Sequence, residues 1–254
     1  MDIEGRKALV LGGSAGIGLA TASELARRGA HVIAASRSAT RRERARRLLG
    51  DGTTNDTTGN TTGKTTGSAT LRDVDVRDRS ALAALFAEIA PLDILVCAAT
   101  GGDRAIGPFL EMDLDGFQGS FDKLWGYANA VRLGAPQMSE DGTIVLVSGC
   151  PARKCNPGMS AISTVGNAVE GFVRAVAPEI VPRRINVVSP GAIVTEMFSP
   201  DLDQNAKMLA GATRNNLIPR PGTPEEVAEA ILFLIGNEFV TGTTIDVDGG
   251  ALLP

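Results

Sequence analysis

The sequence predicts an α/β protein in which one doubly wound parallel sheet carries helices on both faces. Short runs of apolar residues alternate with amphipathic stretches along almost the whole chain. A glycine-rich turn lies between the first apolar run and the first amphipathic stretch. The length of 254 residues suits one domain of this class. We therefore expect residues 1–254 to form a single domain.

Strands are predicted where short runs are apolar throughout, as a sheet covered on both faces requires. These runs are 7–11, 31–35, 69–74, 94–98, 143–148, 185–189 and 244–247. Helices are predicted where apolar residues recur every three to four positions. These stretches are 17–28, 41–49, 79–89, 113–134, 160–177 and 224–235.

Two segments interrupt this alternation. Residues 50–68 are rich in Thr, Gly and Asn and have almost no apolar content, which predicts a disordered insertion before the third strand. Residues 195–221 form a long stretch of mixed polarity after Pro190-Gly191. Long connections of this kind often cover sites, so this segment is predicted to be a lid.

Composition and charge exclude several classes of function. The 25 Lys and Arg residues against 29 Asp and Glu give a net charge of −4, which favours a small-molecule partner over nucleic acid. No signal peptide or apolar run of membrane-spanning length is visible, so we expect a cytoplasmic protein with no membrane partner. Cys97, Cys150 and Cys155 are expected to be free thiols. A single histidine, His31, excludes multi-histidine metal sites, and no metal is expected.

The glycine-rich turn predicts a nucleotide site. Gly12, Gly16 and Gly18 have the spacing G-x-x-x-G-x-G and include Ser14 and Ile17 between them. Residues without Cβ atoms let the backbone turn tightly and approach a pyrophosphate at a helix N-terminus. We expect these five residues to bind a dinucleotide.

The end of the second strand predicts which dinucleotide is bound. An NAD site would place a carboxylate there, whereas this chain has Ser36 and Arg37. A hydroxyl and a guanidinium suit the 2′-phosphate of NADP(H), because arginine pairs with phosphate in a bidentate manner. The expected cofactor is therefore NADP(H).

The sequence resembles the short-chain dehydrogenase/reductase family over nearly its whole length. The motifs that carry this resemblance are the glycine turn, Asp75-Val76, the segment 185–195 and the ending Asp-Val-Asp-Gly-Gly at 246–250. The resemblance implies a Rossmann-like fold, an Asp75 contact to adenine and homodimers or homotetramers. It also implies cofactor contacts from Val76, Ala98, Pro190, Gly191, Ile193 and Thr195, with Pro190, Ile193 and Thr195 bordering the nicotinamide.

The catalytic pattern of that family is not matched. The position of its general-acid tyrosine falls on Ile162, and that of the lysine four residues later falls on Gly166. The family's serine falls at Ser148 or Gly149, and the asparagine of the preceding helix falls at Lys123. We therefore expect the cofactor half of the site to be intact and proton transfer to differ.

A narrower resemblance involves residues 149–159. This segment is similar to a loop in a divergent branch of the family found in fungal indole-alkaloid pathways, whose reductases also act as Diels–Alder cyclases. That branch implies a substrate-directed carboxylate where this chain has Asn156, and an arginine where it has Lys123. We expect Lys123, Ser148 and Asn156 to act on the substrate.

Three functions fit these observations. The first is NADP(H)-dependent hydride transfer to an imine or iminium of a small, fairly apolar metabolite, followed by assistance to a cyclisation. The second is a non-redox cyclase or isomerase that keeps the nucleotide as part of the pocket wall. The third is a catalytically silent binding subunit.

Several other residues have a functional and a structural interpretation. Tyr127 lies four residues after Lys123 and is expected to pack in the core or against a subunit rather than to form a relocated Tyr–Lys pair. Arg153 and Lys154 either bind an anionic group of the substrate or lie on a solvated loop. Cys150 and Cys155 have no evident base beside them, which argues against a nucleophilic role.

Overall fold

Seven parallel strands form one sheet in the computed structural model, which describes residues 1–49, 67–100, 104–197 and 199–254. The strands are β1 (Lys7–Leu11), β2 (His31–Ala35), β3 (Ser68–Arg72), β4 (Leu92–Cys97), β5 (Met138–Val147), β6 (Arg184–Pro190) and β7 (Thr244–Val247). Their order across the sheet is β3-β2-β1-β4-β5-β6-β7. The order reverses between β1 and β4, which is where doubly wound sheets open a crevice for ligands.

Helices connect the strands and cover both faces of the sheet. The described helices are α1 (Gly16–Arg27), α2 (Ala39–Leu49), α3 (Arg79–Ile89), α4 (Leu114–Gly119), α5 (Asp122–Gly134), α6 (Ser160–Val176), α7 (Leu202–Thr213) and α8 (Pro224–Gly236). The predicted fold class is confirmed.

Two apolar cores lie on opposite faces of the sheet. One contains buried side chains of α3, α5 and α6, with Phe86 and Tyr127 among the largest. The other contains residues of α1, α2 and α8, including Leu25 and Ile231. Alternate side chains of a strand point to opposite faces, so Leu9 belongs to the first core and Val10 to the second.

The sequence pattern locates most elements closely. The strands at 7–11, 31–35 and 244–247 and the helix at 79–89 have the predicted bounds. The predicted helix at 113–134 is two helices, α4 and α5, separated at Ser120 and Phe121. The side chain of Asp113 caps α4 by accepting from the amides of Asp115 and Gly116. β5 begins earlier than predicted because Met138 pairs with Leu92 ahead of an irregularity in register.

The two interrupting segments have different outcomes. Of the predicted insertion at 50–68, residues 50–66 lie outside the described part of the chain, and Ser68 already belongs to β3. The predicted lid at 195–221 contains helix α7, whose first turn is capped by Asp201. No described helix is both long and apolar enough to cross a membrane.

Candidate active site

The glycine turn lies at the carboxyl end of β1, beside the end of β4. A Cβ atom on Gly12 would stand 2.6 Å from the amide nitrogen of Ala99, and Gly12 has a φ of +86°. The amide of Ala98 donates to the carbonyl of Leu11 at 2.8 Å, which holds the two strand ends together. Only glycine fits this approach, so the predicted turn has a physical reason at Gly12.

The turn leads into the N-terminus of α1. Its N-cap residue is Ala15, and in the described part of the chain no side-chain oxygen accepts from the first amides of the helix. A Cβ atom on Gly18 would lie 2.2 Å from the carbonyl oxygen of Gly12, so the helix packs directly on the turn. Ser14 is buried in the turn, and Ile17 packs at the edge of a core. Uncapped amides at a helix N-terminus suit a phosphate, so this cradle fits a dinucleotide.

The residues expected to bind the 2′-phosphate of the cofactor ribose lie at the end of β2. Arg37 lies 3.4 Å from the carboxylate of Asp75, which follows β3. The nearby Arg42 donates to the carbonyl of Ser36 and forms an ion pair with Asp73, which fixes the backbone of the turn. Arg37 is 46% exposed and lies at the strand end where the sequence places the 2′-phosphate. The arrangement therefore fits NADP(H).

Asp75 and Val76 form the wall expected to face adenine. Burial acts to raise the pKa of Asp75, but hydrogen bonds from the side chain and amide of Arg77, with the charge of Arg37, outweigh it and lower the pKa. Asp75 is therefore ionised at neutral pH. Val76 is buried against Gly126, where a Cβ atom would lie 2.5 Å from a Val76 methyl carbon.

The loop after β6 closes the other side of the cradle. A Cβ atom on Gly16 would lie 3.1 Å from the Thr195 methyl carbon, so this loop contacts the glycine turn directly. The side-chain amide of Asn205 on α7 donates to the carbonyls of Thr195 (2.8 Å) and Ser199 (2.7 Å). Sequence reasoning missed Asn205, because nothing local to α7 indicates which loop it holds.

Other backbone contacts set the borders of this loop. The amide of Gly191, directly after Pro190, donates to the carbonyl of Val247 at 3.0 Å. Ile193 is buried and forms an isolated bridge with Gly222, so the predicted lid is fixed where it begins and where it ends. The residues expected to border the nicotinamide thus lie in one segment that backbone hydrogen bonds hold at Gly191 and Val194.

Lys123 and Ser148 lie together across helix α5 and the end of β5. The ammonium group of Lys123 donates to the main-chain carbonyl of Ser148 at 3.1 Å. Burial lowers the pKa of Lys123 to about 7, and the positive charge of Arg104 adds to this effect. The hydroxyl of Ser148 donates to the carbonyl of Gly166 at 3.1 Å, so in this arrangement it can accept a hydrogen bond from a substrate but not donate one.

Asn156 lies elsewhere. It is exposed and lines a surface pocket of about 520 Å³, of which neither Lys123 nor Ser148 is a lining residue. Pro108 and Phe109 contribute apolar groups to the lining of this pocket, and α6 contributes polar side chains. The structure therefore brings together two of the three residues expected to act on the substrate.

The basic residues and cysteines of the 150–155 loop have structural partners. Arg153 forms ion pairs with Asp246 and, at 3.5 Å, with Glu170. Lys154 donates to the carbonyl of Ala251. Burial raises the pKa of the Cys150 thiol, which disfavours the thiolate that a nucleophile requires. In the described residues, no group of three or more His, Cys, Asp or Glu side chains is arranged to hold a metal ion.

Comparison with known proteins identifies the family. A family model described as enoyl-(acyl carrier protein) reductase matches residues 12–251. The chain is 32% identical over 259 residues to the short-chain dehydrogenase/reductase ATR9 of Stachybotrys chlorohalonatus, covering 99% of this chain and 98% of that protein. The chain belongs to the short-chain dehydrogenase/reductase family. The predicted family and the expectation of a nicotinamide nucleotide are thereby confirmed.

Solved structures of short-chain dehydrogenases/reductases resemble the whole chain. The MalC reductase/Diels-Alderase from Malbranchea aurantiaca has a TM-score of 0.86 at 25% identity, covering 99% of this chain and 97% of that one. A small-chain dehydrogenase in complex with NADPH has a TM-score of 0.77 at 25% identity, covering 99% and 100%. The resemblance to a fungal branch that includes reductase/Diels–Alder enzymes is therefore confirmed.

Within this short-chain dehydrogenase/reductase, the residues predicted at the family's tyrosine and lysine positions lie on α6. At the lysine position, a Cβ atom on Gly166 would lie 2.8 Å from the Cβ atom of Ala152, so the structure has no room there for a side chain. The chain's only tyrosine, Tyr127, is buried, and its hydroxyl donates to the carbonyl of Val147 at 3.1 Å. Tyr127 therefore packs in the core, as the sequence predicts, and is not placed to protonate a substrate.

Proposed function

We propose that this short-chain dehydrogenase/reductase uses NADP(H) to reduce a C=N bond of a small, largely apolar nitrogenous metabolite in secondary metabolism. The observation that carries the proposal is Lys123, a partly buried ammonium group whose pKa is lowered to about 7. A proton donor works best when its pKa lies near the working pH. An imine nitrogen takes up a proton near neutral pH, whereas a ketone oxygen does not, so this lysine suits an imine better.

Lys123 has one task in this proposal. The glycine cradle would hold a reduced nicotinamide nucleotide, which when bound would supply the hydride to carbon. Lys123 gives its proton to the nitrogen, which leaves a neutral amine on the lysine and a charge on the substrate that hydride addition removes. The like charge of Arg104 favours this release, because it destabilises the protonated lysine. Solvent then restores the proton.

The remaining predicted residues bind and orient the substrate. Ser148 presents hydroxyl lone pairs next to Lys123 and accepts a hydrogen bond from an N–H group of the substrate. We assign Asn156 to the outer rim, where its exposed amide contacts distal parts of the substrate. The loop from Thr195, held by Asn205, excludes water from the nicotinamide side.

The preference for NADP(H) follows from the end of β2. Arg37 and Ser36 are the residues proposed to hold the 2′-phosphate, and β2 ends without the carboxylate that would repel it. Glycines 12, 16 and 18 and the open end of α1 hold the pyrophosphate. A calorimetric titration with NADPH, NADP⁺ and NADH tests this assignment first. We expect micromolar binding of the two phosphorylated nucleotides and much weaker binding of NADH.

The activity is tested with matched imines and ketones. We expect oxidation of NADPH with 1-pyrroline and 3,4-dihydroisoquinoline, and far slower oxidation with cyclopentanone. Lys123→Met should lower kcat about a hundredfold or more with an imine, while Lys7→Met, at the opposite end of β1, should leave kcat unchanged. Equal rates in the Lys123→Met variant and the original protein would exclude Lys123 as the donor.

The similarity to a reductase/Diels-Alderase supports a second candidate, a cyclase that needs the nucleotide only as part of its wall. Its signature is enantioselective cyclisation of a substrate with tethered diene and dienophile when only NADP⁺ is present. Nucleotide binding without either reaction would favour a silent binding subunit. We expect these chains to assemble as homodimers or homotetramers in the cytoplasm. Size-exclusion chromatography with light scattering tests the oligomeric state.

A further inference from the structure

A second cation, Arg104, lies near Lys123, because the neighbouring Ala105 is hydrogen-bonded to Ser120 just before the helix that contains the lysine. The charge of Arg104 contributes to the lowered pKa of Lys123. Arg104 follows β4, whose carboxyl end borders the nucleotide cradle, and its side chain is partly buried. Within the described residues, no carboxylate or carbonyl accepts a hydrogen bond from its guanidinium group. No sequence pattern marks this residue, since one arginine in a loop has no distinguishing neighbours.

The backbone holds Arg104 in place. The amide of the next residue, Ala105, donates to the hydroxyl of Ser120 at 2.9 Å. The Ser120 side chain is buried and in turn donates to the carbonyl of Gly116 at 2.9 Å. Ser120 stands three residues before Lys123, at the junction of α4 and α5. A partly buried hydrogen bond therefore fixes the loop to the junction that precedes α5.

Two like charges at this point are costly in the absence of an anion. A guanidinium group has five N–H donors, and burying it without partners loses its hydration. The acidic residue next to Lys123, Asp122, forms an ion pair with Arg77 at 2.7 Å. Tyr127, whose ring centroid lies 5.7 Å from the lysine nitrogen, supplies only its ring face. Among the described residues, this region thus contains an excess of positive charge next to the proposed proton donor.

We infer that Arg104 binds a carboxylate of the substrate, which makes the substrate an imine that bears a carboxylate close to its C=N bond. This inference rests on the proposed function. A carboxylate can take two parallel hydrogen bonds from the guanidinium group, which fixes its orientation as well as its position. Its negative charge also offsets the repulsion between the two cations, so that Lys123 holds a proton to give once the substrate is bound. The overall reaction adds a hydride to carbon and a proton to nitrogen and leaves the carboxylate unchanged.

The inference is tested by binding, independently of turnover. The probes are pyrrole-2-carboxylate and its neutral partner pyrrole-2-carboxamide, titrated calorimetrically into the NADP⁺ complex. We expect the carboxylate to bind at least about tenfold more tightly than the carboxamide, and Arg104→Gln to remove this preference. Arg132→Gln is the matched control, because Arg132 is exposed on the same helix as Lys123. Thermal melting verifies that each variant is folded.

Two results would overturn the inference. They are equal affinity of the original protein for carboxylate and carboxamide, and an unchanged carboxylate preference in Arg104→Gln. If the second result came with a loss of NADP⁺ affinity, it would assign Arg104 to a cofactor phosphate. Activity with 1-pyrroline-2-carboxylate then separates the two proposals. Carboxylate binding without reduction of this imine would contradict the proposed function and leave the Arg104 site standing.

Discussion

Gly166 on α6 packs against Ala152 so closely that a Cβ atom at position 166 would lie 2.8 Å from the Ala152 Cβ atom and 3.2 Å from its Cα atom. Ala152 is buried in the short turn that follows β5. The contact replaces a side chain at the predicted lysine position with direct packing of helix on turn. The packing therefore leaves no room for a lysine side chain at position 166.

The contact predicts that adding a single methyl group at position 166 lowers the stability of the protein. Gly166→Ala should lower the free energy of unfolding by about 1–3 kcal/mol, because the added methyl group forces α6 away from the turn. Gly171→Ala on the same helix should instead be neutral or stabilising by about 0.5–1 kcal/mol, since only the tip of Arg174 comes within 4.0 Å of the new atom. Urea unfolding measures both. Similar effects at the two positions would mean that the turn yields easily.

A second prediction separates backbone strain from crowding in the nucleotide cradle. Gly5 and Gly12 both have positive φ angles, of 72° and 86°, but only Gly12 has atoms within 4 Å of a new Cβ. Gly5→Ala should cost about 1–2 kcal/mol of stability and leave NADPH affinity unchanged. Gly12→Ala should cost about 3 kcal/mol or more and also abolish NADPH binding. Melting curves and nucleotide titrations decide between these outcomes, and retained binding in Gly12→Ala would place the pyrophosphate elsewhere.

The pKa of Lys123 predicts how stability depends on pH. The folded pKa is about 7, below the ordinary value of 10.5 that applies in the unfolded chain. Between these values the unfolded chain holds a proton that the folded protein has released, so the free energy of unfolding contributed by this group rises with pH. Lys123→Met should remove this rise.

The comparison is made by urea unfolding at about pH 7 and about pH 9 for the original protein and the variant. The free energy of unfolding of the original protein should rise relative to that of the variant at the higher pH. A difference that does not change with pH would mean that the lysine keeps an ordinary pKa. Arg104→Gln provides a further check, because loss of the neighbouring charge should raise the Lys123 pKa and reduce the slope.

Arg37 predicts the discrimination between the two nicotinamide nucleotides. Arg37→Gln should weaken NADPH binding about tenfold or more, while NADH binding should change by less than about twofold. Arg47→Gln is the control, because that arginine is exposed at the far end of α2, 3.6 Å from Glu43. If both nucleotides lost affinity equally in Arg37→Gln, the residue would act through Asp75 rather than on the 2′-phosphate.

Much of the fold follows from local patterns in the chain. β1, β2 and β7 have their predicted bounds because a strand buried on both faces is an unbroken apolar run between polar turns. The division of α4 from α5 was not predicted, since the apolar spacing continues across Ser120 and Phe121. At this junction Ser120 accepts a tertiary hydrogen bond from the amide of Ala105, 15 residues away in sequence, which the local pattern does not reveal.

In the candidate site, too, some residues can be predicted from local sequence and others cannot. The glycine turn can be predicted from the sequence because its requirements are local. Gly12 has a positive φ angle, and Gly18 packs directly on the carbonyl group of Gly12. The sequence leaves two interpretations of Arg153, a substrate contact or a solvated loop position. In the structure its partner is Asp246, 93 residues further along the chain. Such charge pairs depend on which strands become neighbours, so a single sequence does not reveal them. The same holds for Arg104, whose importance lies only in its nearness to Lys123.

The low pKa of Lys123 also has a consequence for chemical labelling. At neutral pH a substantial share of this amine is in the free-base form, whereas an ordinary lysine has roughly a few parts in ten thousand. A free-base amine is a nucleophile, so aldehydes and acylating reagents should modify this position ahead of ordinary surface lysines. The property that suits Lys123 to release a proton thus also makes it a handle for covalent inhibitors, and a bound carboxylate ligand would protect it.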